Sequence, residues 1–261
     1  MFNFDQPITT YEFIAIVLSV IALLIPVGKW IYDKLIKRLR FDFIPSGMIT
    51  LYHNKSGSYI SLGGVYEAKN KSTTVKDIAA TVIRKSDNAT LPLTWSTFPS
   101  PVYRTIAGNY ETSFETAHPF KVEADALVPA FIEFSKTATN TDEETNKILT
   151  PVARASFAIL AQPNIGVAIA DAQVKQLKEY NDAKLELNDL FFWKTSKYEL
   201  VISTKHGNST LKKVYTFELT NDDSNKLKEN IDNLLVIHVA DHYRLTVTMN
   251  SIRKEFKESK T

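Results

Sequence analysis

The sequence predicts a β-dominated α+β protein. An N-terminal transmembrane helix with a basic extension covers residues 1–40, and a cytoplasmic immunoglobulin-like antiparallel β-sandwich covers 41–261, with a helical insertion at about 136–195. Three observations carry this. Residues 13–28 contain no charged side chain. From Phe41 the hydrophobic pattern changes from helical to alternating, with turn residues roughly every ten positions, as in antiparallel sandwiches. Between 136 and 195 that alternation gives way to helical spacing.

The uncharged run by itself is short for a bilayer, whose apolar core of about 30 Å needs roughly 20 helical residues. Tyr11 at one end and Lys29, Trp30, Ile31 and Tyr32 at the other bring it to length, because lysine extends its ammonium to the headgroups and Trp and Tyr suit the interface. Pro7 followed by Thr9 and Glu12 predicts a capping box where the helix begins. No Lys or Arg precedes the run and no small-x-small site follows it, which argues against a cleaved signal peptide. Lys29, Lys34, Lys37, Arg38 and Arg40 against Asp33 give residues 29–40 a charge of +4, whereas the N-terminal flank holds only Asp5 and Glu12. That asymmetry predicts a single-pass protein of the inner (plasma) membrane with its N-terminus outside. Nothing in the sequence breaks the helix before Pro45, so an amphipathic extension carrying Ile31, Leu35, Ile36 and Leu39 is expected.

Laid on a helix, Glu12, Ala15, Ser19, Ala22, Pro26, Lys29 and Asp33 fall on one narrow stripe, and Lys37 and Arg40 continue it. A plain anchor is one explanation. Self-association is the other, since helices in lipid approach one another through small residues. In an assembly Glu12 would form a ring at the outer mouth and Lys29 and Asp33 rings at the inner one, Pro26 would kink each helix, and the bundle would be either a pore or a dry packed core.

In the remainder, Phe41–Ile44, Met48–Tyr52, Tyr59–Leu62 with Val65–Ala68, Val75–Lys85, Leu91–Trp95, Pro119–Ala124 and Pro129–Phe134 read as strands. Thr97 to His118, with Pro99 and Pro101, reads as a long loop. The insertion reads as three helices: one limited by Pro151, one from Val152 to Ala161, and one from about Val167 to Ala183. Strands resume at Tyr198–Thr204 and Val214–Leu219 around the turn at His206-Gly207-Asn208. Thr220 and Asp223 then begin a helix with Leu227, Ile231 and Leu234 inward. Tyr243, Leu245, Val247 and Met249 suggest a last strand, and the tail from Arg253 is expected to fray.

Chemistry is harder to find. The 261 residues include no cysteine, which excludes disulfides, zinc-thiolate sites and cysteine nucleophiles. The net charge of +2 is concentrated near the helix, leaving −2 elsewhere, which argues against a non-specific nucleic-acid binder. GxSxG, GxxxxGK[ST] and GxGxxG are absent, and the longest glycine cluster is Gly63-Gly64. No enzymatic role, cofactor or metal is expected. His238 and His242 would share a helical face, but their β-branched surroundings read as strand, which separates them by about 13 Å. Asp142, Glu143 and Glu144 read as a solvated helix start. The sequons at Asn54, Asn70, Asn88 and Asn208 would matter only outside a eukaryotic cell. For a nucleotide or short single strand the candidates are aromatic-basic pairs: Tyr103 with Arg104, Trp193 with Lys194, and Lys205 with Lys212 and Lys213 across a turn. For Phe191 to Trp193 the alternative is simple core.

An N-out helix with its seam, a basic stalk and a cytoplasmic β-rich domain resembles in layout the small membrane effectors of bacterial anti-phage defence, including the channel effectors of the Hailong system. The resemblance spans the whole chain through its architecture and rests on no diagnostic motif. It implies a homo-oligomer in the lipid bilayer, a nucleotide or oligonucleotide signal, a partner nucleotidyltransferase and a gated pore or membrane disruption. A non-conducting, membrane-tethered protein-binding module is the alternative.

Overall fold

The computed structural model describes residues 9–32, 37–106, 109–136 and 138–259. Helix α1 runs from Thr10 to Ile31 with its capping box in place: Glu12 N–H donates to the Thr9 hydroxyl, and the Glu12 carboxylate accepts from Thr9 N–H at 2.8 Å. Helical structure continues through Pro26. The expected helical extension does not reach Pro45. Lys37 N–H reaches back to the Tyr32 carbonyl, residues 37–39 are not helical and a strand starts at Arg40; Leu35 and Ile36 lie outside the described residues. Leu39 instead packs against the domain core.

Among the described residues, eleven strands join one antiparallel sheet: β1 (Arg40–Asn54), β2 (Gly57–Lys69), β3 (Thr73–Arg84), β4 (Thr90–Ile106), β5 (Asn109–Thr116), β6 (Phe120–Val122), β7 (Ala126–Ser135), β8 (Ser196–His206), β9 (Ser209–Leu219), β10 (Ser251–Glu255) and β11 (Lys257–Glu258). The order is β10-β1-β2-β7-β4-β3-β8-β9-β11, with β5 added to β4 and β6 to β3. The two ends of that order are consecutive in the chain, so the final segment pairs first with β1 and then with β9 and nearly closes the sheet on itself. Across the interior the Tyr66 hydroxyl of β2 meets the Thr204 hydroxyl of β8 at 3.0 Å, and Phe41 stacks on His206 at 4.2 Å. The expected two-sheet immunoglobulin-like sandwich is therefore not what the hydrogen bonds draw. Alternation alone marks one buried face per strand, and a curled single sheet satisfies it as well as two facing sheets.

The frayed tail is likewise corrected. Arg253 pairs with Thr50, Phe256 is buried, and Phe256 N–H donates to the Gly47 carbonyl. The expected loop after Thr97 is the β4–β5 hairpin, in which Pro99 pairs in register with Phe114 and Pro101 falls in the register shift between Pro99 and Tyr103, the setting in which strands tolerate proline.

The insertion is helical as expected, with other boundaries. Helix α2 (Ala138–Leu160) passes straight through Pro151. The Thr150 hydroxyl donates to the Asn146 carbonyl in the interrupted turn, and Val152 and Ser156 are fully buried, so packing offsets the roughly 3 kcal/mol that an interior proline costs. The expected third helix divides into α3 (Val167–Lys175) and α4 (Lys178–Leu190).

Helix α5 (Asn221–Leu235) follows its capping box at Thr220 and Asp223 and buries Leu227, Ile231 and Leu234, in agreement with the sequence. The His238 region is a short helix, α6 (Ile237–His242), held by burial of Val239 and Ala240 against the β preference of its residues. No strand forms at 243–249. Instead, Asn233 of α5 donates to the Thr248 carbonyl, and the Asn230 carboxamide bonds Asn250 at both its N–H and its carbonyl, supplying what a neighbouring strand would.

Candidate functional site

Helix α1 buries none of its residues. Its 22 residues span about 33 Å at 1.5 Å per residue, enough to cross an apolar core of about 30 Å by length and composition. Leu23, Leu24 and Ile25 are each more than half exposed, and they belong to a continuous run of exposed apolar side chains along α1, whereas the exposed apolar residues of the domain are scattered in sequence. A soluble fold rarely leaves so continuous an apolar surface open to water. On the stripe, the Ser19 hydroxyl donates to the Ala15 carbonyl at 2.7 Å, so serine makes no polar demand on a neighbour and behaves as a small residue. Glu12, Ala15, Ser19, Ala22, Pro26 and Lys29 all lie on α1; Asp33 lies outside the described residues.

The domain takes hold of the chain immediately after the helix. The Asn70 carboxamide donates to the Arg38 carbonyl at 2.9 Å, Leu39 joins the core, and two residues into β1 the Asp42 carboxylate meets Lys213 of β9 at 2.9 Å. Glu258 of β11 contacts the same ammonium at 2.9 Å. Burial lowers the lysine pKa, but the bonds from Glu258 and Asp42 outweigh it and hold the group above its ordinary value. Lys213 is thus a clasp between the first and last strands of the curled sheet.

The aromatic-basic pairs are not brought together. Trp193 is fully buried, with its indole Nε1 donating to the Tyr52 carbonyl, the core alternative for this stretch. Lys194 and Lys205 flank opposite ends of β8, about 35 Å apart along an eleven-residue strand. Lys205 contacts Asp77 at 2.9 Å. Lys212, paired in register with Ser203, is exposed. Tyr103 and Arg104 lie on the β4–β5 hairpin opposite Thr112 and Glu111. Among the described residues no group of three or more His, Asp or Glu is spaced to hold a metal.

One concave feature escaped the sequence reading. A cavity of about 280 Å³ lies where the turn of β1 and β2, the start of β4 and helices α2 and α4 meet. His53, Ser58, Leu91, Leu187, Leu190 and Phe192 line it, together with Lys136 and Glu144. His53 is 3% exposed; its Nδ1 is 3.0 Å from the Ser58 hydroxyl and its Nε2 has no partner. Such an orphan costs about 1–3 kcal/mol. Burial alone holds the imidazole at a pKa of about 4, so it is neutral. Phe191 packs edge-on against the ring at 5.0 Å, and Asn230 donates to the His53 carbonyl at 2.8 Å, fixing ring and backbone. Four distant segments build this place, and no local spacing could have announced it.

Compared with protein-family models, curated proteins and solved structures, the chain matches none.

Proposed function

We propose that this protein is a single-pass membrane effector: the β-rich domain, on the cytoplasmic side, receives a signal, and α1 acts in the bilayer as an oligomer packed along the stripe of Ala15, Ser19, Ala22 and Pro26. The observation that carries the reading is the apolar α1, none of whose residues is buried, followed only a few positions later by Arg38 and Leu39, where Asn70 and the core hold the chain. So short a connection supports transmission of a rearrangement at β1 to the span. The positive flank supports the N-out orientation. A nucleotide or oligonucleotide is the signal that the likeness to anti-phage effectors implies, with a nucleotidyltransferase as its source and membrane permeabilisation as the response. Lys212, exposed on β9, is the basic residue offered to a phosphate under this reading, since Lys205 and Lys213 beside it already meet carboxylates.

The test has two arms. Ser19→Leu should abolish assembly in detergent and any growth arrest on expression, and replacing α1 with an unrelated anchor should do the same. If the anchor swap preserves function, the second reading holds: a tethered binding module, favoured through strand addition by the edge of β9 at Ser209–Leu211, which lies beyond β11 and pairs on that side with no strand among the described residues.

A further inference from the structure

The end of the curled sheet next to α1 differs in charge from the rest of the domain. Asn70 holds the Arg38 carbonyl there, β1 begins two residues later, and the β8–β9 turn closes the same end, with His206 stacked on Phe41 and Gly207 N–H donating to the Thr74 carbonyl. On this rim Lys69, Lys121 and Lys205 meet Glu67, Glu123 and Asp77, whereas the exposed Arg38, Arg40 and Lys76 form no ion pair among the described residues. Arg40 stands directly opposite Lys69 in the first pair of the β1–β2 ladder. Like charges so placed destabilise a sheet, so folding alone does not account for them. At the far end, where Asn230 of α5 holds the His53 carbonyl, the balance reverses: residues 136–195 and 220–250 carry ten Lys and Arg against thirteen Asp and Glu. The two ends lie on the order of 40 Å apart along β1, several Debye lengths, so neither screens the other.

We propose that this rim docks on anionic lipid headgroups of the leaflet from which α1 emerges, with Arg38, Arg40 and Lys76 on their phosphates and the acidic helical layer held away from the surface; this rests on the reading of α1 as a membrane span. The connection brings the two surfaces together. Helix α1 ends at Ile31, Lys37 N–H folds back to the Tyr32 carbonyl at 2.8 Å, and the domain holds the chain from Arg38. The rim therefore lies close to the membrane surface, where each Lys or Arg is drawn to anionic lipid. Docking fixes the tilt of the domain over the bilayer, which one chain crossing does not.

The test uses the full chain with a fluorophore on Asn208→Cys, at the exposed tip of the β8–β9 turn, in vesicles containing a headgroup spin-labelled phosphatidylcholine. Adding phosphatidylglycerol should increase the quenching, and raising the salt from about 0.1 to about 1 M, which shortens the Debye length from about 10 to about 3 Å, should reverse the increase. Arg40→Gln and Lys76→Gln should each weaken the docked state about fivefold. Lys226→Gln with Lys228→Gln, which removes the same charge from the exposed face of α5, should leave the quenching unchanged. Equal quenching in both lipids, no response to salt, or equal effects of the two pairs of substitutions would overturn the docking. Carbonate extraction of the same vesicles reads the span separately: a retained chain without lipid-dependent quenching overturns the docking alone, whereas a released chain overturns the span and the docking with it.

Discussion

The Trp193 indole donates to the Tyr52 carbonyl at 2.7 Å, bridging two residues 141 positions apart and fastening the segment after α4 to the outer half of β1. Ser224 of α5 donates to the Trp193 carbonyl at 2.7 Å, so one buried residue joins the helical layer to the sheet. Trp193→Phe should therefore destabilise the domain by about 1–3 kcal/mol through the orphaned carbonyl. Trp193→Ala should cost about 3–5 kcal/mol, and Lys194→Ala should do little. Urea unfolding followed by near-ultraviolet circular dichroism measures all three. Equal stability of Trp193→Phe and the parent would contradict the structural role.

The two neighbouring glycines should respond differently to alanine. A Cβ on Gly64 would lie 2.5 Å from the buried Phe43 ring and 2.8 Å from the Ile44 carbonyl, whereas one on Gly63 would meet the half-exposed Phe131 ring at 3.2 Å. Gly64→Ala should cost about 1–3 kcal/mol by overpacking. Gly63→Ala should cost a fraction of that, since Phe131 can move outward. Comparison of their thermal midpoints checks the difference.

His53 makes stability depend on pH. The unfolded imidazole binds a proton below about 6.5, whereas the folded one does so only near 4. Between those values the unfolded state holds more protons, so stability rises with pH; the contribution is fully present above 6.5 and is lost as the pH falls to 4, amounting to about 3 kcal/mol. Burial shifts His206 and His238 the same way, and burial raises Glu133, which acts with the opposite slope. His53→Phe isolates the effect: between pH 7.5 and 4 the unfolding free energy of the parent should fall by about 3 kcal/mol more than that of the variant.

Loosening the clasp should open the curled sheet locally. Lys213→Met leaves Asp42 and Glu258 facing each other without their shared cation, at a cost of about 1–2 kcal/mol, between the limits for exposed and buried pairs. Amide exchange should rise first in Arg40–Ile44 of β1 and Leu211–Val214 of β9, with β3 and β8 unaffected.

The legible parts of this chain are those whose signals are local. Helix α1 and helix α5 each announce themselves with a capping box and a run of apolar residues, and both begin where the sequence puts them. The turns at Asn54-Lys-Ser-Gly57 and His206-Gly207-Asn208 are similarly local. What the sequence misplaced depends on partners far along the chain. Pro151 stays helical because Val152 and Ser156 are buried, α6 overrides β-branched residues through the burial of Val239 and Ala240, and the β4–β5 hairpin takes up Pro101 at a register shift. The closing of the sheet through Lys213 and the cavity at His53 each join segments more than a hundred residues apart, which no window of periodicity samples.

The most direct test uses the absence of cysteine in this chain. Single cysteines at Ser19, Ala22, Val17 or Leu24 can be introduced into otherwise unmodified protein and oxidised in native membranes; the first two lie on the stripe of α1 and the last two on its opposite face. Assembly through the stripe predicts strong dimer cross-linking for Ser19→Cys and Ala22→Cys and little for Val17→Cys and Leu24→Cys. Equal cross-linking at all four positions, or none at any, would contradict it.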